Sequence, residues 1–360
     1  MKLTKMIGVT TLAASIAASI ATPVMAEDAQ KIRLVMPHPN LAVGEEVFLY
    51  AVPKALGFFE EEGLDVSVST VSGSVAAGQV LISGTADIAP MLAEAALSIR
   101  EQGGDPKAFY SLKRNNGFTV GVMPDSDIKS VADVSGKTVG FSSAGSGPDK
   151  LLREQLRQLG EAPEYNGISL GTGPAVITAM QSGRIDALMM WDAIYAIFEN
   201  QGMTLDHYEL PIQDEIAGYT LATTDSYMAE NPEQVEGFCR ASAKALHFTL
   251  TDPAKAIEIF YKEFPSLMPA GQSYEDAVAD GVNILDAWLD RAQKGVPYGE
   301  KTGYEDPTRW ENSQTLYTQF GQLKGNIDVT DAYTNDYFDA CNDFDRDAVA
   351  ELAKNYVVKR

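Results

Sequence analysis

The sequence has few of the residues from which metal and redox sites are built. Among 360 residues there are only two cysteines, Cys239 and Cys341, and three histidines, His38, His207 and His247. Two thiols cannot complete a four-thiolate zinc or iron–sulfur site, and three scattered histidines disfavour a histidine-rich metal cluster. We therefore predict no metal and no cofactor.

Basic residues are also scarce. The chain carries 28 lysines and arginines against 50 acidic residues, a formal net charge of -22. A surface this acidic is repelled by phosphate backbones and anionic lipids, which disfavours a nucleic-acid partner or a peripheral membrane role. With 45% hydrophobic and 22% charged residues, the composition is that of a globular protein long enough for two domains of ordinary size.

The first 26 residues differ in composition from the rest. Lys2 and Lys5 precede an apolar run over residues 6–20, and Val24-Met25-Ala26 supplies small or aliphatic residues where a signal peptidase reads the chain. We predict a signal peptide over 1–26, cleaved after Ala26, and a periplasmic mature protein. A membrane anchor is the alternative, but the apolar run is shorter than the roughly 20 residues of a spanning helix.

From Lys31 onward, short apolar runs alternate with amphipathic segments, which is typical of parallel βαβ units. After Tyr219 the pattern changes to helices, with capping signals at Asn231 and Asp252. The sequence therefore predicts an α/β protein with a helical C-terminal part. The predicted strands cover residues 31–36, 66–71, 118–123, 138–141, 168–170, 187–190 and 219–223.

Two segments, 83–91 and 182–190, repeat one pattern. Each has a Ser-Gly that ends a predicted helix, an Asp three residues after the Gly, and a short apolar strand that ends in Met. A chance match is the alternative for so short a pattern. Its occurrence at the same step of a βαβ unit nevertheless suggests two similarly built lobes.

The run from Leu56 to Val66, LGFFEEEGLDV, resembles a phrase in ABC-transporter solute-binding proteins of the sulfonate, nitrate, taurine and thiamine-pyrimidine-precursor group. Residues 133–140, DVSGKTVG, resemble the phrase that opens the second lobe of those proteins, and residues 83–88 resemble another. The resemblance implies a two-lobed periplasmic-binding-protein fold with a two-strand hinge and a ligand cleft. We expect lobe 1 over 27–115 and 225–360, and lobe 2 over 116–224.

The same resemblance implies function and partners. We expect a monomer that captures a small molecule by lobe closure and delivers it to an ABC permease in the inner membrane, which works with its own ATPase. An enzyme on a related fold, such as a pyrimidine-precursor synthase, is the alternative. Such a synthase carries a cysteine-rich motif, which this chain lacks, and no Gly-x-Ser-x-Gly elbow is present. We therefore predict no catalytic residues.

Ligands of open α/β sheets lie beyond the carboxyl ends of the strands, so the candidate ligand-binding residues are those that follow the apolar runs. They are His38, Asn40, Ser72, Ser74, Met91, Ser142, Ser143, Gly145, Ser146, Trp191, Asp192 and Tyr219. The Ser/Gly loop over 142–147 leads into a helix and favours an oxyanion such as a sulfonate or carboxylate, unless it only caps that helix.

The aromatic and acidic candidates favour a different solute. Trp191 could stack on a planar ligand or belong to the core, and Asp192 could accept from an amine or cap a helix. His38, between two prolines, suits a fixed cleft residue or a solvated loop. Together these residues favour a heteroaromatic amine, so the residues leave the solute open between two chemical classes.

The two cysteines, Cys239 and Cys341, are 102 positions apart. In an oxidising compartment we predict that they form a disulfide, with two buried free thiols as the alternative.

Overall fold

The computed structural model describes residues 29–292, 294–319 and 321–359. The predicted signal peptide lies outside the described residues. Over the ranges that are described, no helix has both the length and the apolar character needed to cross a membrane.

The described strands belong to two lobes. In chain order they are β1 (Gln30–Met36), β2 (Leu64–Thr70), β3 (Ala89–Leu92), β4 (Pro106–Lys113), β5 (Phe118–Val122), β6 (Thr138–Phe141), β7 (Asn166–Ser169), β8 (Ala187–Trp191), β9 (Asp206–Glu209) and β10 (Tyr219–Thr224).

The helices surround these strands and make up the C-terminal part. They are α1 (Val52–Ala55), α2 (Phe58–Glu61), α3 (Ser74–Ile82), α4 (Ala93–Glu101), α5 (Gly147–Gln158), α6 (Ala175–Gln181), α7 (Asp192–Asn200), α8 (Asp225–Glu230), α9 (Pro232–Thr251), α10 (Pro253–Glu263), α11 (Tyr274–Ala292), α12 (Pro307–Gln319), α13 (Phe338–Cys341) and α14 (Arg346–Asn355).

The two lobes have the same strand order. In lobe 1, β1 and β2 are parallel, a bridge between Leu34 and Ile88 connects β1 to the entry of β3, and β10 lies antiparallel between β3 and β4. In lobe 2 the order is β7-β6-β8-β5-β9, with β6 parallel to both β7 and β8. The orders β2-β1-β3-β10-β4 and β7-β6-β8-β5-β9 therefore correspond: three parallel strands are followed by one antiparallel strand, β10 or β5, and then by a last strand, β4 or β9.

The repeated sequence pattern marks equivalent positions in the two lobes. In lobe 1, Asp87 Oδ2 accepts a hydrogen bond from the backbone N–H of Arg33 at 2.7 Å. In lobe 2, Asp186 Oδ2 accepts one from the backbone N–H of Thr138 at 2.8 Å. Each aspartate thus ties the entry of one strand, β3 or β8, to the neighbouring parallel strand, β1 or β6.

The chain crosses between the lobes twice, through residues 114–117 and 215–218. The structure differs here from the sequence expectation, which placed residues up to 224 in lobe 2. Strand β10 is buried along its whole length because it pairs on both edges with lobe 1 strands. A Cβ atom at Gly218 would collide with the Lys113 carbonyl, so the crossing segments approach each other at a position where only glycine fits.

The C-terminal helices complete lobe 1 and reach lobe 2. The Cys239–Cys341 disulfide joins α9 to α13 across a Cα–Cα distance of 5.0 Å, which confirms the predicted pairing. Helix α11 extends over lobe 2, where Asn200 donates to the Asp280 carbonyl at 3.0 Å and Arg291 pairs with Glu209 at 2.6 Å. The helical part therefore links the lobes as well as covering one of them.

Candidate ligand-binding site

The loop after β1 brings three ionisable side chains together. His38 Nε2 lies 2.7 Å from Glu45 Oε1, and the Tyr219 hydroxyl donates to the same oxygen at 2.8 Å. Glu45 and the adjacent Glu46 are 3% and 1% exposed. Two neighbouring carboxyls in so dry a place must be neutralised by hydrogen bonds, by counter-charges or by protons.

The pKa values of the two carboxyls are shifted in opposite directions. Burial alone would raise the pKa of Glu45, but the positive charge and hydrogen bond of His38 lower it to about 2. Burial and repulsion from Glu45 raise the pKa of Glu46 to about 8, because Glu46 has no cation as close. Burial opposes charge on His38, yet Glu45 raises the pKa of that imidazole to about 9. At neutral pH the cluster thus consists of an ion pair and a protonated carboxyl.

An aromatic wall from the C-terminal part flanks this cluster. Trp288 of α11 lies against Phe48, with ring centroids 5.0 Å apart. A Cβ atom at Gly44 would lie 3.2 Å from Glu46 Oε2 and 3.9 Å from Trp288 Cδ1. The indole, which is 4% exposed, and the Glu46 carboxyl therefore both lie close to Gly44.

Lobe 2 contributes a carboxylate at the start of α7. Lys113 Nζ lies 2.5 Å from Asp192 Oδ2, with side chains only 5% and 8% exposed. The same ammonium lies 5.0 Å from the centre of the Trp288 ring. Gly117 has φ +75° and no room for a side chain, because a Cβ atom there would collide with the Asp192 carboxylate. This ion pair therefore joins the two lobes beside the hinge.

Of the sequence-predicted residues, the structure brings His38, Asp192 and Tyr219 to this region between the lobes. Met91 is instead fully buried in the core, with its methyl group packed towards α3. Asn40 and Ser72 are exposed, and Ser74 accepts a hydrogen bond from the Leu92 backbone at 3.1 Å. Trp191 is half-buried, lies opposite Phe118 in the sheet, and packs against a lobe 2 core cluster.

The Ser/Gly loop over 142–147 uses much of its polar surface internally. The Gly145 amide donates to Asp149 Oδ2 at 2.6 Å, and the Ser146 hydroxyl donates to the Ser143 carbonyl at 2.6 Å. Ser142 accepts through its carbonyl from the Gly171 amide at 3.1 Å. A buried carboxylate therefore already occupies the position that an anionic ligand would need, and this geometry favours the capping interpretation of the loop.

Sequence reasoning missed Glu45, Glu46 and Trp288. Glu45 and Glu46 directly precede the apolar run from Val47, and two acidic residues at the edge of a buried segment are an available signal of a polar site. Trp288 is 4% exposed and packs on Phe48, and no local pattern shows that α11 brings it beside Glu46.

The same cluster has the spacing of a metal site. The ligand atoms of His38, Glu45 and Glu46 lie within 4.8 Å of one another, close enough for one cation. Glu45 Oε1, however, already accepts from both His38 and Tyr219, and these hydrogen bonds account for the arrangement without a metal.

Three comparisons relate this chain to known proteins. A sequence model of the family described as NMT1/THI5 like matches residues 46–256. The riboflavin-binding protein RibY of Chloroflexus aurantiacus is 25% identical over 330 residues, covering 86% of each chain. The formylaminopyrimidine-binding protein of Halalkalibacterium halodurans is 24% identical over 307 residues, covering 83% of this chain and 87% of the relative.

A solved structure shows the same architecture. The periplasmic aliphatic sulphonate binding protein SsuA of Escherichia coli superposes with a TM-score of 0.65 at 17% identity, covering 84% of this chain and 91% of that one. This likeness confirms the two-lobed α/β fold of periplasmic binding proteins.

Proposed function

This chain belongs to the NMT1/THI5-like family, and we propose that it is the extracytoplasmic solute-binding protein of an ABC importer. A small organic solute binds between the lobes, which rotate about the 114–117 and 215–218 segments and close around it. The closed form then delivers the solute to a permease in the inner membrane, where a separate ATPase supplies the energy.

The proposed solute is a planar heteroaromatic compound that carries N–H donors. The observation that carries this choice is the buried Glu45–Glu46 pair beside the Trp288 ring. Carboxyl oxygens accept hydrogen bonds from amino groups and ring N–H groups, and an indole stacks on a planar ring. Two relatives whose names refer to nitrogen heterocycles, riboflavin and formylaminopyrimidine, support the same class.

A sulfonate or another oxyanion fits these surroundings less well. The nearby cations, His38 and Lys113, are already paired with Glu45 and Asp192, so neither is free to bind an incoming anion. In the Ser/Gly loop, an incoming anion has to displace Asp149 from the Gly145 amide. Removing that buried carboxylate from its hydrogen bonds costs free energy that binding then has to recover.

The proposed protein binds its solute without converting it. Cys239 and Cys341 are consumed in the disulfide, so neither thiol is available as a nucleophile for an enzyme on this fold. The disulfide also supports a periplasmic location, because such bonds persist in oxidising compartments. We further propose that the protein acts as a monomer.

One titration series distinguishes a protein that binds its solute from an enzyme that converts it. The purified protein is mixed with riboflavin, formylaminopyrimidine, an alkanesulfonate and nitrate, while tryptophan fluorescence and melting temperature are recorded. We expect saturable binding of a nitrogen heterocycle, with a stabilisation of about 2.7 kcal/mol at 100 times the Kd, and recovery of the solute unchanged by mass spectrometry. Binding of the sulfonate or nitrate alone contradicts the solute class, and turnover contradicts the binding function.

A matched pair of variants locates the site. Trp288→Ala removes the indole and should weaken binding by about 1 to 3 kcal/mol, which is a factor of about five or more. Ser143→Ala changes the Ser/Gly loop, where we expect less than a twofold effect. A larger loss of binding in Ser143→Ala than in Trp288→Ala places the solute at the Ser/Gly loop.

A further inference from the structure

A pocket lies at the hinge, apart from the candidate ligand site. It is shallow and open to solvent, and it is lined by residues of both crossing segments. Ser111 and Arg114 come from the end of β4 and the first crossing, Gly218 comes from the second crossing, and Arg309 comes from α12. Any molecule bound there touches the parts of the chain that move when the lobes rotate.

Two guanidinium groups converge on this pocket. Arg309 Nη1 donates to the Arg114 carbonyl at 2.5 Å, which holds Arg309 against the first crossing segment. Burial and the nearby positive charge of Arg114 both lower the pKa of Arg309. Among the residues that the structure describes, the Arg114 guanidinium and the Ser111 hydroxyl have no hydrogen-bond or ion-pair partner. The pocket therefore presents donors that are not used by the fold.

The acidic groups around the pocket are largely engaged elsewhere. Glu305 accepts hydrogen bonds from the Thr220 hydroxyl and from Trp310 Nε1. Burial raises the pKa of Glu305 to about 7, which reduces its negative charge near neutral pH. Asp214 accepts from Lys294 at 2.8 Å.

Asp306 is the acidic residue that remains close to the pocket cations. Its Oδ2 lies 3.8 Å from Arg309 Nε, and its Oδ1 accepts from the Thr308 amide at 3.0 Å. Asp306 and a half-ionised Glu305 against two guanidinium groups leave the pocket with a small net positive charge near neutral pH.

We propose that the hinge pocket binds a small oxyanion, either a carboxylate or a phosphate group, between Arg114 and Arg309. The planar fork of Arg114 matches the two oxygens of such a group, Arg309 adds a positive charge beside it, and Ser111 supplies a further donor. Because residues of both crossings line the pocket, its shape depends on the angle between the lobes. An anion that binds one angle more tightly shifts the equilibrium between open and closed forms, and it does so independently of the solute in the cleft.

The test uses the whole protein with three salts at equal ionic strength: sodium phosphate, sodium succinate and sodium chloride. Melting temperature and isothermal titration calorimetry are recorded for each salt. We expect saturable stabilisation by phosphate, by succinate or by both, and none by chloride. Saturation with one of the two anions identifies which oxyanion group the pocket prefers. Non-saturating or equal effects of all three salts overturn the proposal.

Variants then assign the effect to the pocket. Arg114→Gln should weaken anion binding at least tenfold, and its side chain has no described partner whose loss would unfold the chain. Arg309→Lys keeps a charge but loses the fork, so we expect an intermediate loss. Arg184→Gln changes an exposed arginine of lobe 2 and should leave binding unchanged. Equal binding in Arg114→Gln and in the unsubstituted protein overturns the proposal.

Discussion

Replacing Glu46 by Gln should remove a pH dependence from the stability of this protein. Burial and the neighbouring Glu45 charge raise the pKa of Glu46 from its ordinary value of 4.5 to about 8. Between these values the folded chain holds a proton that the unfolded chain has released. The unfolding free energy therefore falls as the pH rises through this window, by about 1.4 kcal/mol per unit where the difference is complete.

The expected magnitude follows from these two values. Between pH 6 and pH 8, Glu46 should lower the unfolding free energy by about 2 kcal/mol. This is less than the full slope over two units, because Glu46 in the folded chain is itself half-ionised at pH 8. Gln has the same shape but does not titrate, and it can still accept from the Ala42 amide, which lies 3.4 Å from Glu46 Oε1. The unfolding free energy of Glu46→Gln, taken relative to that of the original protein, should thus rise by about 2 kcal/mol from pH 6 to pH 8.

Urea denaturation at the two pH values measures this difference directly. His38 acts in the same direction, because its raised pKa of about 9 provides stability that is complete below 6.5 and is lost as the pH rises through 9. That contribution is present in both proteins and largely cancels in the comparison. Glu161→Gln, at an exposed position of lobe 2, is the control and should show no pH-dependent difference. A stability difference between Glu46→Gln and the original that is the same at both pH values refutes the reasoning.

Three further outcomes follow from the structure. Thiol titration of the denatured, unreduced protein should find no free thiol, and replacing Cys239 and Cys341 by Ala should lower the unfolding free energy by up to about 4.7 kcal/mol, as the chain-entropy account gives for a loop of roughly 100 residues. Lys113→Met should cost about 3 to 5 kcal/mol by leaving the buried Asp192 carboxylate unpaired, and adding Asp192→Asn should restore much of the loss. Trp288→Ala should weaken solute binding by about 1 to 3 kcal/mol if the solute stacks on the indole.

Each of these outcomes has its own check. Two reactive thiols in the unreduced protein contradict the disulfide. A Lys113→Met, Asp192→Asn double variant as unstable as Lys113→Met alone shows that the ion pair is not the cause. For Trp288, the control is Trp191→Phe. If the ligand-induced fluorescence change is lost in Trp191→Phe but kept in Trp288→Ala, the solute stacks on lobe 2 and not on Trp288.

Local sequence signals were sufficient for the architecture. Alternating apolar runs and helix-ending glycines predicted the α/β class, and the family resemblance implied the two lobes. The repeated Ser-Gly and Asp pattern marked equivalent strands, where Asp87 and Asp186 make matching backbone contacts. These features depend on residues close together in the chain, so periodicity and capping reveal them. The disulfide followed from the presence of only two cysteines and the expected compartment.

The site depended on contacts between distant parts of the chain. Glu45 and Tyr219 share a hydrogen bond across 174 positions, and Trp288 of α11 meets Phe48 and Lys113 from the other end of the chain. Strand β10 joins lobe 1 because it fills the space between β3 and β4, which its own apolar run does not reveal. The sequence by itself thus determined the fold class and the disulfide. Only the tertiary structure decided which side chains are buried together, and burial with its neighbouring charges sets the chemistry of the site.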